Sequence, residues 1–319
     1  MLGEFALIKE FFSGHDKGRG ITLGIGDDCA LLAPDRNSEL AITTDTLNEG
    51  IHFFKGEDPF YLGYKSLLVN ISDLASMGAR PAFFTLSLTL PDSDEHFLRE
   101  FSRGLFSLAD KEKMALIGGN TSKGPLSITI SAYGYVAKGC AMRRDLAKPG
   151  DIIYVSGNLG MGGLFVKAGY HELNLASDLF SIVHKKAQLI PSRTVFARAL
   201  RRVCRCALDV SDGTVGDLRH ILERSNVGAV LNLDKLPLDE IFDQVNLTAL
   251  EKVELAAFGG CDYELLFTIN PKKISLLEKI AACHRVKITP IGVITKDKNL
   301  NLLFENKPYV KANRPFEHF

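Results

Sequence analysis

Two stretches of strict alternation constrain the fold more than any other feature of the chain. In Ala82–Leu90, residues Ala82, Phe84, Leu86, Leu88 and Leu90 share one side, and Phe83, Thr85, Ser87 and Thr89 the other. In Leu126–Val136, Leu126, Ile128, Ile130 and Ala132 oppose Ser127, Thr129 and Ser131. Successive side chains of a strand point to opposite faces, so both stretches read as half-buried strands. Leu40–Thr44 reads as a third, with a polar tip at Thr43-Thr44-Asp45. Between these strands, Tyr61–Met77 carries Leu67, Leu68, Ile71, Leu74 and Ala75 as one helical stripe, with Asn70 and Asp73 on a different face. Gly78 supplies a stop and Pro81 blocks continuation. Ser93–Lys113 reads as a second amphipathic helix.

A chain of 319 residues is long for one domain and comfortable for two. The junction is expected at Lys148-Pro149-Gly150-Asp151, giving domains over 1–148 and 149–319. A strand at Ile152–Val155 and a turn rich in glycine (Gly157, Gly160, Gly162, Gly163) follow. Further strands are expected at Ala229–Leu233, Tyr263–Ile269 and Val286–Ile294, with helices between them. The fold class is α+β in two halves.

Lys+Arg and Asp+Glu both number 38, with no block of like charge, which argues against a nucleic-acid or anionic-membrane surface. The first residues lack the basic-then-apolar pattern of a signal peptide, and the longest apolar runs are too short to span a bilayer. Cysteines 29, 140, 204, 206, 261 and 283 have no metal spacing; they read as free thiols of a reducing compartment, and a cytoplasmic location is expected.

Chemistry is expected where acidic residues fall beside Gly, Ser and Thr at the ends of elements. These places are Gly24-Ile-Gly26-Asp27-Asp28, Thr43-Thr44-Asp45, Asn70–Asp73, Gly118-Gly119-Asn120-Thr121 and Asp209-Val-Ser211-Asp212-Gly213. Neighbouring carboxylates repel unless a cation lies between them, and hard oxygen ligands suit Mg²⁺. Glycines beside them let backbone approach a phosphate. Any one such cluster is more often a turn than a site. The familiar alternatives fail on the letters: there is no G-x-x-x-x-G-K-[ST] and no protein-kinase set. The glycines of 157–163 are misplaced for a dinucleotide fingerprint and read as a turn opening a helix. Asp209 and Asp212 are three apart, which the aspartyl-phosphatase motif D-x-D-G-T does not allow.

Read in order, 24–30, 43–53, 70–79, 118–121, 209–213 and Asp262-Tyr-Glu-Leu-Leu-Phe267 resemble the signature blocks of the thiamine-monophosphate kinase family, from Gly3-Glu4-Phe5 to Phe316-Glu-His-Phe319. The resemblance implies the aminoimidazole ribonucleotide synthetase-like fold. It has an N-terminal α/β domain that binds ATP and Mg²⁺ and dimerises through its sheet, and a C-terminal α+β domain that completes the ATP and substrate cleft. It implies transfer of a phosphoryl group from ATP to thiamine monophosphate, with several Mg²⁺ ions and a homodimer. The implied metal set is Asp28, Thr43, Thr44, Asp45, Asp73, Asn120, Asp209 and Asp212. ATP would be met by Asp28, Gly119, Asn120, Arg144 and Ser211, and the substrate by His52, Cys261 and Phe316. Asp27 is read as shaping its loop, and no side-chain base or nucleophile is assigned. The chain departs from the family pattern at Asn120, where an Asp is usual, and at Cys261, where a Glu is usual. Two alternatives stay open: a related synthetase or kinase with another substrate, and a nucleotide-binding protein with weak catalysis.

Overall fold

The computed structural model describes residues 4–15, 17–18, 20–23, 31–32 and 37–310. By internal contacts the chain divides into two units, Met1–Leu74 with Ala79–Gly139, and Ala75–Gly78 with Cys140–Phe319.

The first unit runs α1 (Glu4–Phe11), β1 (Ile21–Leu23), β2 (Leu31–Leu32), β3 (Ser38–Asn48), α2 (Pro59–Ser76), β4 (Arg80–Leu90), α3 (Glu95–Glu112), β5 (Ala115–Lys123) and β6 (Ser127–Ala137). Four strands form one sheet in the order β3-β6-β4-β5, with only the β4–β5 pair parallel. Ile128, Ile130 and Ala132 of β6 are buried, as the alternation demands. The α2 helix lies on that face: Thr43 of β3 donates to Asp73, and Leu74 sits over Gly134. On the opposite face, cross-strand pairing aligns Leu40 with Tyr135 and Ile42 with Tyr133. Leu40 and Ile42 remain exposed there.

One residue breaks the alternation expected for β4. Phe83 is buried, although its position in the pattern assigns it to the polar face. Phe83 pairs with Tyr133 and so keeps to the Thr85 side of the sheet, where it forms a small cluster with Ala82, Ala115 and Ile117 against which Ile21 and Leu32 pack; the register slip with β6 between Pro81 and Phe83 falls at Ala82. The ring of Tyr135 stands edge-on to Phe83, 6.1 Å away.

The α3 helix starts at Asp94, whose side chain accepts the His96 amide, and ends on Lys113 in the left-handed conformation. It meets α2 backbone to backbone. A Cβ at Gly104 would lie 1.9 Å from the Phe60 carbonyl oxygen, and one at Gly63 2.0 Å from that of Phe101. Gly104→Ala therefore has to part the two helices, and we expect it to cost about 1–3 kcal/mol in chemical denaturation. A loss below the error of that measurement would mean that the contact is slack.

The second unit runs β7 (Ile152–Ser156), α4 (Met161–Gly169), α5 (Ser177–Gln188), α6 (Thr194–Leu200), β8 (Cys206–Asp209), α7 (Thr214–Ser225), β9 (Gly228–Asn232), α8 (Ala249–Phe258), β10 (Leu265–Ile269), α9 (Ile274–His284), β11 (Ile288–Thr295), β12 (Leu300–Phe304) and β13 (Lys307–Pro308). Its seven-stranded sheet has the order β13-β12-β9-β11-β7-β10-β8, antiparallel except for β12 beside β9. Both faces are covered. Ile153, Val155, Leu208 and Leu266 pack with Leu218 and Ile221 of α7 and Ala256 of α8. The residues between them, Tyr154, Ala207, Leu265 and Phe267, pack with Phe196 and Leu200 of α6 and Leu277 of α9. Every residue of β10 is consequently buried, which is why this strand reads as a continuous apolar run rather than an alternating one.

Candidate active site

In the first unit, Thr43 and Asp45 are two apart on β3 and share the face covered by α2, where Asp73 waits half-buried. The Thr43 hydroxyl donates to Asp73 Oδ2. Asp45 Oδ2 is buried and has no hydrogen-bond partner. Burial, and then the charge of Asp73, push the Asp45 carboxyl up to about 6. A buried carboxylate oxygen without a donor, beside a second carboxylate, is costly as it stands. A divalent cation would satisfy both groups, so these residues fit the metal that the motif chemistry calls for. Thr44 points to the other face, where its hydroxyl lies 2.8 Å from that of Ser131.

The 118–121 block lies on β5, parallel to β4, with Asn120 opposite Ser87 and exposed. A Cβ at Gly119 would fall 1.8 Å from the Leu86 carbonyl oxygen, so only glycine allows this pairing. His52 sits in the turn after β3, and its Nδ1 accepts the Asn48 amide at 3.0 Å. In the neutral imidazole this leaves the proton on Nε2.

In the second unit, β8 ends on buried Asp209, and the turn Val210–Gly213 leads into α7. The segment 259–264 lies along that turn. The Cys261 amide donates to the Ser211 carbonyl (2.7 Å), Tyr263 to Val210 (2.8 Å), and Val210 back to Glu264 (2.8 Å). To make these bonds, Cys261 and Tyr263 adopt left-handed backbone, with φ of 58° and 49°.

Asp262 accepts the amides of Gly160 (2.8 Å) and Gly162 (3.2 Å) and so closes the start of α4. Burial is the main force raising its carboxyl to about 7. Glu264 is buried, accepts the Ser156 hydroxyl at 2.5 Å and the Arg193 Nε at 2.6 Å, and forms a second bond to the same guanidinium.

The structure thus brings together Thr43, Asp45 and Asp73 in one unit, and Asp209, Ser211, Asp212 and Cys261 in the other. Arg144 is exposed, and its backbone carbonyl accepts the Ser225 hydroxyl and the Cys206 thiol. Asp27, Asp28 and Phe316 lie outside the described residues.

Sequence reasoning missed Asp217. This buried residue of the first turn of α7 accepts the amides of Ser211 (3.0 Å) and Asp212 (3.1 Å). Burial first, then Asp209 and Asp212, raise its carboxyl to about 8. Possible ligand atoms of Asp212, Asp217 and His220 lie within 4.8 Å of one another. The available signal was an acid in the first turn of a helix whose N-terminal glycine has no capping side chain.

The AIR synthase related protein N-terminal domain model matches residues 26–136, and the corresponding C-terminal domain model matches 148–305. A thiamine-monophosphate kinase of Buchnera aphidicola subsp. Schizaphis graminum is 42% identical over 320 residues, covering 99% of this chain and 98% of the relative. Among solved structures, thiamine-monophosphate kinase from Stenotrophomonas maltophilia K279a aligns with a TM-score of 0.84 at 40% identity, over 90% of this chain and 92% of that one. The structure described as AaThiL complexed with AMPPCP and TMP aligns with a TM-score of 0.77 at 27% identity, over 100% and 97% of the two chains.

Proposed function

The chain belongs to the thiamine-monophosphate kinase family, and from that premise we propose that it moves the γ-phosphoryl group of ATP onto the phosphate of thiamine monophosphate, yielding thiamine diphosphate and ADP. The observation that carries the reading is 42% identity along 99% of the chain, joined to the buried, unpartnered oxygen of Asp45 beside Asp73.

Donor and acceptor are both polyanions, so alignment and charge neutralisation matter more than a protein nucleophile. In the first unit we assign Thr43, Thr44, Asp45, Asp73 and Asn120 to Mg²⁺, together with Asp28; in the second, Asp209 and Asp212. Bound magnesium would supply the positive charge that lets phosphate oxygens approach each other. Ser211 and Arg144 are assigned to ATP, together with Gly119. The Nε2–H of His52 is oriented by the Asn48 amide to donate to the acceptor phosphate. No side chain has to remove a proton, because a phosphate monoester with a second pKa near about 6 is largely dianionic at neutral pH.

Cys261 takes the substrate-facing place where the family usually has Glu. A thiol is a weak acceptor, so Cys261→Glu is expected to lower KM for thiamine monophosphate by roughly tenfold, as for one hydrogen bond to a charged group, and to change kcat less. An unchanged KM would remove Cys261 from the substrate site. Phe316 is assigned to the substrate rings.

A homodimer is part of the same proposal. It is supported by exposed Leu40 and Ile42 on the sheet face they share with Tyr133 and Tyr135. So is a cytoplasmic location, supported by free cysteines at 140, 204, 206, 261 and 283; among the described residues no helix is long and apolar enough to cross a membrane.

Asn120 and Cys261 favour a second reading, a nucleotide-binding protein with weak turnover. A panel of phosphate acceptors offered with ATP and Mg²⁺ tests both. Turnover confined to thiamine monophosphate supports the kinase. Binding without turnover, or turnover of a different acceptor alone, overturns it.

A further inference from the structure

We propose that Asp217 is the positioning residue of the turn 209–213, fixing the direction in which Asp209 and Asp212 present their carboxylates. The proposal rests on the assignment of those two residues to the kinase reaction. The turn enters α7 at Gly213, which has no side chain to cap the helix. Left alone, the amides of Ser211 and Asp212 would face solvent or a ligand. Asp217 reaches back from inside the helix and takes both of them on one oxygen, Oδ2, at 3.0 and 3.1 Å.

The other edge of the turn is held independently. The Ser211 carbonyl accepts the Cys261 amide at 2.7 Å, and the Val210 carbonyl accepts that of Tyr263 at 2.8 Å. A Cβ at Gly213 would meet the backbone of Phe258 at 2.9 Å, so the turn cannot swing toward α8. Ser211 is thus clamped at both of its backbone polar atoms, by a buried carboxylate on one side and by the 259–264 segment on the other.

The clamp also decides what the turn can bind. A glycine-bearing turn before a helix with open amides is an anion site. Here the two amides are spent on an internal carboxylate, and what remains to face a ligand is the Ser211 hydroxyl and the Asp212 carboxylate. Asp217 therefore makes this a cation-presenting turn, one that meets a nucleotide through its metal and through the hydroxyl rather than through a backbone cradle.

Two near-isosteric variants separate positioning from charge. Asp217→Asn keeps an acceptor oxygen in place without a carboxyl that can ionise, whereas Asp217→Glu keeps the ionisable carboxyl and moves the oxygen by a methylene. We expect Asp217→Glu to raise the Mg²⁺ concentration for half-maximal turnover by about tenfold or more, as for other residues that orient metal ligands, and to speed hydrogen exchange of the Ser211 and Asp212 amides. KM for thiamine monophosphate should stay close to wild type. Asp217→Asn should restore both the Mg²⁺ dependence and the amide protection. The reverse order, with Asn impaired and Glu tolerated, would make Asp217 a metal ligand alongside Asp212 and His220 and overturn the proposal. Unchanged exchange in Asp217→Glu would overturn it as well. If the wild type itself does not turn over thiamine monophosphate, the kinase reading fails, while the exchange measurement still reads the role of Asp217.

Discussion

Asp45→Asn is expected to lower kcat on the order of 10³-fold and, in the same protein, to raise the stability of the metal-free fold. Both effects come from one oxygen. Asp45 Oδ2 is buried without a donor, and its neighbour Asp73 is also an acid. The folded carboxyl titrates at about 6 against an ordinary value of 3.8. Between those pH values the folded state holds a proton that the unfolded state has released. The stability contributed by the protonated form is complete below pH 3.8 and falls away as pH rises through 6.

At neutral pH, then, the metal-free protein carries a charge that its fold disfavours. Each pKa unit is worth about 1.4 kcal/mol, and with partial solvent screening the penalty is about 1–2 kcal/mol. Asn removes it. Thermal melts of magnesium-free protein should show the variant above wild type at pH 8, with the two converging near pH 4. Added Mg²⁺ should raise the wild-type midpoint more than the variant's, because a ligand stabilises only through the folded-state sites it still finds and the variant has lost the one at Asp45. A variant that loses both activity and stability would mean that Asp45 is a structural acid rather than a strained functional one.

The second large effect lies in the other unit. Arg193→Ala is expected to destabilise that unit by about 3–5 kcal/mol, because it leaves Glu264 buried without its countercharge. Arg193 holds Glu264 with two parallel bonds, and their side chains are only 17% and 5% exposed. The double variant Arg193→Ala with Glu264→Gln should recover a large part of the loss, since the uncompensated charge goes with the second change. Activity should fall with stability, because the Glu264 carbonyl accepts the Val210 amide and so registers the 209–213 turn against β10. Urea denaturation of the two single variants and the double variant gives the coupling energy directly. Additive losses would show that the pair contributes nothing as a pair.

How much of this was legible in the sequence follows the physics of each element. The strands of the first unit announced themselves because one face of their sheet is covered and the other is open at β3 and β6. Phe83 keeps its place in that pattern but is buried all the same, because Ile21 and Leu32, distant in sequence, pack against its cluster on that face. β5 was not recognised as a strand at all. Its Gly118-Gly119-Asn120 centre is poor strand composition, tolerated because Gly119 pairs too close to Leu86 for any other residue. In the second unit the buried strands read as apolar runs: the expected start at Ile152 agrees with β7, that at Ala229 falls one residue inside β9, and those at Tyr263 and Val286 fall two residues before β10 and β11, Tyr263 being in left-handed backbone.

At the site, acids next to glycine in the chain were visible as clusters. The groups that hold them were less so. Asp217 is close in sequence, yet its role depends on a helix start. The pairing of Arg193 with Glu264 spans 71 residues, and no local pattern encodes it.

The most direct test of the account is a single-turnover reaction of magnesium-loaded protein with thiamine monophosphate and ATP labelled in its γ-phosphate. The account predicts that the label passes into thiamine diphosphate in step with ADP, with none released as free phosphate. Label in inorganic phosphate, or ADP formed while thiamine monophosphate stays unchanged, would contradict it.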